Sequence, residues 1–316
     1  MKITYKPVLT GRTKDGLPVE VVDLVPLHGS DPETFGRLFR QGQRIYHSSF
    51  PPEEKESTDV IRKYIATADM DMRDGTDVNF GPGTFSYLVP MIDGKAEGML
   101  SYCLVLCDGF SEILVGYAAV SKKHRNKGVA TVMANAAVRN ANRQSMKRLN
   151  TSLKYRVAEI EQPTTSYDDM MRDTTRPIYH QKTTGLGAAA IIDKKTGEMI
   201  PVPYAQPGIK ERADVTPEPV PLVLGVAHAE KGRVKKIKAQ PETVISPSGE
   251  VRNGIQECAV LDSGEFYKIA DGVLNDYRSA VEDGTYDAQQ IDGIQRILER
   301  GLLTADNDSV FLEPNK

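Results

Sequence analysis

The chain has few cysteines: Cys103, Cys107 and Cys258 are the three among 316 residues. Three thiols do not make a disulfide framework. Cys103 and Cys107 stand in an apolar, strand-like run, where buried thiols are the simpler reading. No apolar run approaches the ~18 residues of a membrane span, so no membrane partner is expected. The opening MKITYKPVLTGRTKDG is too polar for a secretory signal peptide. A cytoplasmic location is the expectation that follows. No Cys/His spacing makes a zinc site, and His28, His47, His124, His180 and His228 are scattered. Asp69-Met-Asp71-Met-Arg73-Asp74-Gly75 imitates a calcium loop, but Arg73 and Phe80 occupy ligand positions, so no metal is expected. There is no Gly-x-Ser-x-Gly elbow. Hydrophobic residues make up 40% and charged residues 26%, which excludes collagen-like, low-complexity and wholly disordered chains.

A further absence is local. From Ile113 to Ala158 there is no Asp or Glu, while the same stretch holds ten Lys or Arg residues and His124. The net charge of the whole chain is −3, so a positive patch on a negative body is expected. From Asp262 onward twelve acids stand against five bases. Such a patch suits a nucleic acid or a cofactor with several phosphates; a solvated helix face is the plainer alternative.

Residues 1–28 alternate apolar and polar around Asp15-Gly16, which predicts a hairpin. Ser30-Asp31-Pro32-Glu33 starts a helix to about Tyr46, and Pro51-Pro52 separates it from a second over 53–67. Residues 85–91, 98–106 and 112–120 read as strands. A helix follows over 129–144, with Val129, Val132, Met133, Ala136 and Ala137 on one stripe. Residues 153–160, 185–192 and 221–227 read as further strands. An irregular helix is expected within 164–182 and a proline-rich loop over 201–221. Two helices, 264–282 and 286–300, close the chain. The layout is α/β or α+β. The expected domains are a catalytic domain over 1–230, a linker over 231–260 and an acidic helical extension over 261–316.

The informative stretch is strand, basic turn, glycine, helix. It reads Glu112-Ile-Leu-Val-Gly-Tyr-Ala-Ala-Val120, then Ser-Lys-Lys-His-Arg125-Asn-Lys-Gly128-Val-Ala130. The first amides of a helix have no carbonyl partner within it, and the helix dipole adds positive charge there. Gly128 and Ala130 keep side chains small, so phosphate oxygens can approach the backbone. Arg125 and Lys127 add full charges. A diphosphate fits this cradle.

Val120 to Ala130 resembles the coenzyme A-binding motif of the GNAT acetyltransferase superfamily, Arg/Gln-x-x-Gly-x-Gly/Ala after an Ala-Val strand end. Arg125-Asn-Lys-Gly128-Val-Ala130 matches it. Ile45 to Glu54 is similar to the helix junction some members have near the substrate side. The resemblance covers about residues 18–228, most strongly 112–162. It implies a mostly antiparallel sheet flanked by helices, with strands four and five splayed to admit the pantetheine arm. It implies acetyl-CoA as co-substrate and an N-acetyltransferase acting by direct attack of an amine. Arg125, Asn126, Lys127, Gly128, Val129, Ala130 and Thr131 would hold the diphosphate; the backbone of Ala119 and Val120 would pair with the arm.

A protonated amine needs a base. Glu112, Glu159 and Glu161 are the candidates, with Glu159 and Glu161 on one strand face. Two exposed carboxylates at a strand end is the other reading of that pair. The resemblance places Tyr179 as the proton donor to the leaving thiolate; a packed core tyrosine is the alternative. The family's Asn-x-x-Ala pattern is replaced by Gln162-Pro163-Thr164. The loop holding Tyr204 and Gln206 either walls the acceptor site or elaborates the surface.

Gly185-Leu-Gly187-Ala-Ala-Ala190 looks like a dinucleotide fingerprint but lacks a preceding strand. Three functions remain. The first is the N-acetyltransferase, with a small-molecule or peptide amine as acceptor. The second is a catalytically silent acyl-CoA-binding or interaction module. The third is a nucleic-acid binder using 122–156, disfavoured because Tyr155 is its one aromatic residue. The glutamate candidates favour the enzyme.

Overall fold

The computed structural model describes residues 5–52, 55–74, 84–107 and 109–161, and beyond them only short strand segments between 187 and 311. The first is a hairpin, β1 (Leu9–Arg12) and β2 (Pro18–Asp23), turned at Gly16 with φ 86°. Three helices follow: α1 (Val25–Ser30), α2 (Pro32–Ser49) and α3 (Thr58–Asp74). Then come β3 (Thr84–Ile92), β4 (Gly98–Cys107), β5 (Phe110–Val120), α4 (Val129–Gln144), β6 (Leu153–Glu161) and β7 (Leu222–Glu230).

The strands form one sheet in sequence order, β1 to β7. Neighbours run antiparallel except β5 and β6, which are parallel and joined through α4. Parallel pairing needs a crossover connection, and α4 supplies it here. The expected mixed, mostly antiparallel sheet flanked by helices is what the chain forms. Gly187–Ala189 and Arg233–Val234 pair with β7.

The sheet is covered on both faces. On one side, α4 packs Val129, Met133, Ala136 and Ala137 onto Val21, Ile113 and Val115. On the other, α1, α2 and α3 bring Phe35, Leu38, Tyr46 and Ile65 against Tyr87, Met99 and Tyr117. All nine residues of β3 are therefore buried, the pattern of a strand sandwiched between helix layers.

Two helix boundaries differ from the sequence reading. α3 starts later than expected: residues 55–57 lie outside it, the Ser57 hydroxyl accepts from Val60 N–H at 3.2 Å, and the helix begins at Thr58. It also continues to Asp74, past the expected end at residue 67. Asp69 explains part of this. Its side chain is 2% exposed and its Oδ2 lies 3.1 Å from His28 Nδ1, which ties α3 to α1. The sequence reading missed α1, where Asp23 Oδ1 accepts from Val25 N–H at 3.1 Å and Pro26 stands in the first turn. The helices expected over 164–182, 264–282 and 286–300 lie outside the described residues. Within the expected linker, Thr243–Ile245 pairs with Val251–Asn253; Ser309–Phe311 pairs back with Ile191–Asp193.

Candidate functional site

The turn from β5 into α4 is held by the backbone. Ser121 begins a short 3₁₀ turn, Lys122–His124. Asn126 and Gly128 then take left-handed conformations, φ 63° and 86°. Asn tolerates that region, and glycine adopts it without a Cβ penalty. Gly128 is the N-cap of α4 and supplies no side-chain cap. The helix ladder starts with Val132 N–H donating to the Gly128 carbonyl at 3.1 Å, so the amides of Val129 and Ala130 stand ahead of it. The Val129 side chain is buried against the sheet, while Ala130 and Thr131 are half-buried. These are the conditions for an anion site at a helix start.

The cations around the turn are not equivalent. Arg125 is exposed and its Nε donates to the Val120 carbonyl at 3.1 Å, which lays the guanidinium beside the end of β5. Lys127 Nζ lies 2.9 Å from Asp15 Oδ2 in the β1–β2 turn. A hydrogen bond from Thr13 and the Lys127 ammonium hold the Asp15 carboxyl down at about 2. Lys123 Nζ lies 2.5 Å from Glu97 Oε1. Glu97 is 5% exposed; its Oε2 accepts from Ser121 Oγ at 2.7 Å and its carbonyl from Ser121 N–H at 2.9 Å. The basic segment thus receives two acids from outside its own sequence. Lys14 N–H donates to the Lys127 carbonyl at 2.8 Å, so the β1–β2 hairpin braces the cradle.

The second feature is a fork. Parallel pairing of β5 with β6 runs from Ser111 opposite Leu153 to Val115 opposite Ala158 and stops there. β5 continues to Val120 and β6 to Glu161, while the other edge of β6 pairs with β7 from Tyr155 to Glu161. From Gly116 to Val120, β5 runs past its last pair with β6. Gly116 and Ala118 are exposed along it, and Val120 is half-buried. An extended guest could pair with this edge as an added strand does. This stretch ends at the cradle and includes Ala119 and Val120.

The vertex of the fork carries a β-bulge. Val115 faces Tyr102 of β4 and Tyr117 faces Ser101, so Gly116 is unopposed. The bulge swaps faces: Ile113 and Val115 lie in the α4 cluster, Tyr117 and Ala119 in the cluster under α1–α3. A glycine inside a strand was the sequence signal for this bulge, and the sequence reading passed over it.

Of the base candidates, Glu112 has a described side chain. It is on β5 between Val105 of β4 and Tyr155 of β6 and is 0% exposed. Its neighbour Ile113 faces α4, so Glu112 faces the α1–α3 side, three residues from the last paired position. Glu159 and Glu161 stand on β6 opposite Leu224 and Leu222, beyond the last residue paired with β5. Their side chains, and all of Tyr179, Tyr204 and Gln206, lie outside the described residues.

Tyr155, the aromatic residue of the basic segment, is 0% exposed and packs edge-on against Phe110. Its face is not offered to a base. No helix among the described residues is long and apolar enough to cross a membrane, and no His/Cys/Asp/Glu cluster there could hold a metal.

No protein-family model matches the chain, and no curated protein matches it in sequence. Solved structures similar to it are GNAT-family acetyltransferases. One is RimJ of Mycobacterium smegmatis in complex with CoA-disulfide, at 11% identity and TM-score 0.39 over 72% of this chain and 91% of that one. Another is an aminoglycoside 6'-N-acetyltransferase complexed with coenzyme A, at 9% identity and TM-score 0.38 over 61% of this chain and 91% of that one. A third is the ribosomal-protein-S18-alanine N-acetyltransferase of Escherichia coli, at 10% identity and TM-score 0.35 over 67% of this chain and 94% of that one. What the site can do follows from this chain's own residues.

Proposed function

We propose that the chain is an acyl-CoA-dependent N-acetyltransferase that moves an acetyl group from acetyl-CoA to an amine in a ternary complex. One observation carries the reading: past its last pair with β6, the stretch Gly116–Val120 of β5 runs from the vertex of the fork into the Arg125–Ala130 cradle. The guest that fits such a site has an anionic end and an extended, amide-bearing arm. Acyl-CoA is such a molecule, with diphosphate at the amides of α4 and the arm along β5.

The thioester then lies at the vertex. The amine nitrogen attacks the thioester carbon, a C–N bond forms and the C–S bond breaks. The amine gives a proton to a base, and the leaving thiolate takes one to become coenzyme A. Glu112 is the base we favour, because it lies near the vertex on the face opposite α4, away from the cradle. Glu159 and Glu161 are the alternatives on β6, and Tyr179 is the donor to sulfur that the family resemblance suggests. The acceptor is a small-molecule or peptide amine. The acidic remainder of the chain favours a cationic one.

The test is release of free thiol from acetyl-CoA with a panel of polyamines, aminoglycosides and lysine peptides. Acceptor-dependent thiol release with a matching acetylated product supports the enzyme. Saturable acetyl-CoA binding with no transfer to any amine would leave the silent acyl-CoA module. No binding at all would refute both.

A further inference from the structure

A second bulge, in β6, sets Lys154 on the face of the sheet that carries Glu112. Pairing with β5 steps from Leu153 opposite Ser111 to Tyr155 opposite Glu112, so Lys154 is unopposed. Leu153 packs into the α4 cluster, and Arg156 stands opposite Ile113 of that cluster. Tyr155 between them takes the other face, and the bulge sends Lys154 there with it. The ring contacts agree. Lys154 Nζ lies 5.0 Å from the Tyr155 ring centroid and 5.2 Å from that of Phe110. Those two residues flank Glu112: Phe110 is two residues before it on β5, and Tyr155 is across from it on β6. Lys154 is half-buried, whereas Glu112 is 0% exposed.

Burial disfavours the ionised form of a carboxyl, yet a base must be ionised to take a proton. A cation nearby favours that form. By alternation, the other strand positions around Glu112 on this face are Cys103, Val105, Phe110, Leu114, Tyr155 and Val157, and none is a cation. Among the described residues, the helices and their junction bring Tyr46, Tyr64 with Glu56, and the His28–Asp69 pair to this side. Tyr117 lies further along β5, and Glu159 and Glu161 further along β6. We propose that Lys154 is a positioning residue: its ammonium holds the buried Glu112 carboxyl in the ionised form that accepts the amine proton. The inference rests on Glu112 as the base of the transfer and names the residue that keeps it ready. Lys154→Met keeps an unbranched stem against the two rings and removes the charge; Lys154→Arg keeps the charge.

The experiment is the pH–rate profile of acetyl transfer in wild type, both Lys154 variants and Glu112→Gln, with acetyl-CoA affinity measured by calorimetry on the same proteins. Lys154→Met should bind acetyl-CoA as wild type does and move the acid limb of the profile up by about one pH unit. Lys154→Arg should leave the limb where wild type has it. If Glu112→Gln alters the profile but Lys154→Met leaves the limb in place, or Lys154→Arg moves it as Lys154→Met does, the inference is overturned and the enzyme reading stands. A Glu112→Gln profile parallel to wild type, or no transfer to any amine, would overturn the base assignment and the inference together. A double-mutant cycle of Lys154→Met with Glu112→Gln in urea unfolding needs no acceptor. The pair should couple by about tenfold in the unfolding constant at neutral pH and lose that coupling as falling pH protonates the carboxyl. No coupling, or the coupling of simple packing that stays constant with pH, would overturn the inference.

Discussion

Arg125 and Lys127 stand two residues apart and are engaged differently. Lys127 is ion-paired with Asp15, whereas Arg125 leans on a carbonyl at the end of β5 with its charge open to solvent. Charge reversal at Arg125 should therefore hurt cofactor binding more than removal of Lys127. Arg125→Glu is expected to weaken acetyl-CoA binding at least tenfold, the size of a lost charge-assisted contact of ~1.5–3 kcal/mol. Lys127→Ala should cost less, and equal losses would show that the Asp15 pair does not hold in solution. Glu112→Gln bears on the chemistry. If Glu112 takes the amine proton, the variant should bind acetyl-CoA as wild type does and turn over at least a hundredfold more slowly near neutral pH. It should recover partly at high pH, where the amine is already neutral. Parallel pH–rate profiles would reject Glu112. At this scale the turn and helix start were legible, because Gly128 and the residues around it set them through their own local backbone. The partners of its lysines were not. Asp15 and Glu97 lie outside the acid-free stretch, and only the fold brings them to it.

At the scale of elements, the cradle is a junction of two hairpins and a helix. The β3–β4 turn supplies Glu97, the β1–β2 turn supplies Lys14 and Asp15, and α4 supplies its first amides. Glu97→Ala should leave Ser121 without its carboxylate partner and loosen the turn. We expect destabilisation of about 1–3 kcal/mol in urea unfolding and weaker acetyl-CoA binding in the same variant. Unchanged affinity would mean that α4 alone sets the cradle. The close packing behind the open edge offers a second check. A Cβ on Gly98 would meet the Ala119 carbonyl at 2.7 Å and Pro90 Cγ at 2.8 Å. Gly98→Ala must push β4 away from β5 and should cost ~1–3 kcal/mol; an unchanged melting temperature would contradict that contact. Strand and helix identities were legible from their periodicities. Helix starts were less so. Ser57 reads like other polar residues until its hydroxyl is seen on Val60, and α1 is one short turn set by Asp23 and Pro26.

At the scale of the whole molecule, one buried polar network joins the two hairpins to α4. Asp23 Oδ2 accepts from Asn140 Nδ2 at 2.8 Å and from Ser86 Oγ at 3.2 Å; Tyr102 Oη accepts from Asn140 at 3.0 Å. Burial raises the Asp23 carboxyl above its ordinary 3.8, against the pull of these donors and Val25 N–H. The sign for stability follows. Between 3.8 and the raised value, the unfolded chain has released a proton that the folded chain keeps. Stability from this group is therefore full below the ordinary value, falls as pH rises through the window and levels off above it. Asp23→Asn should remove that slope, read as the difference between the two proteins' urea stabilities from pH 3 to 8. A constant difference would show that the fold does not shift the Asp23 carboxyl. The network was illegible in the sequence because its members are spread from residue 23 to residue 140 and carry no shared spacing. The mixed sheet around it and the splay of two of its strands were implied by the family resemblance. The residue at which β5 and β6 part was not legible, since register decides it.

The central claim is that the fork and cradle take acyl-CoA. It is tested most directly by titrating the full chain with acetyl-CoA, with Arg125→Glu and a short oligonucleotide in parallel. The account predicts saturable binding of one acetyl-CoA per chain, lost in the variant, and no saturable oligonucleotide binding. No acetyl-CoA binding, with oligonucleotide binding that falls steeply with salt, would contradict it and assign the basic turn to phosphate backbones.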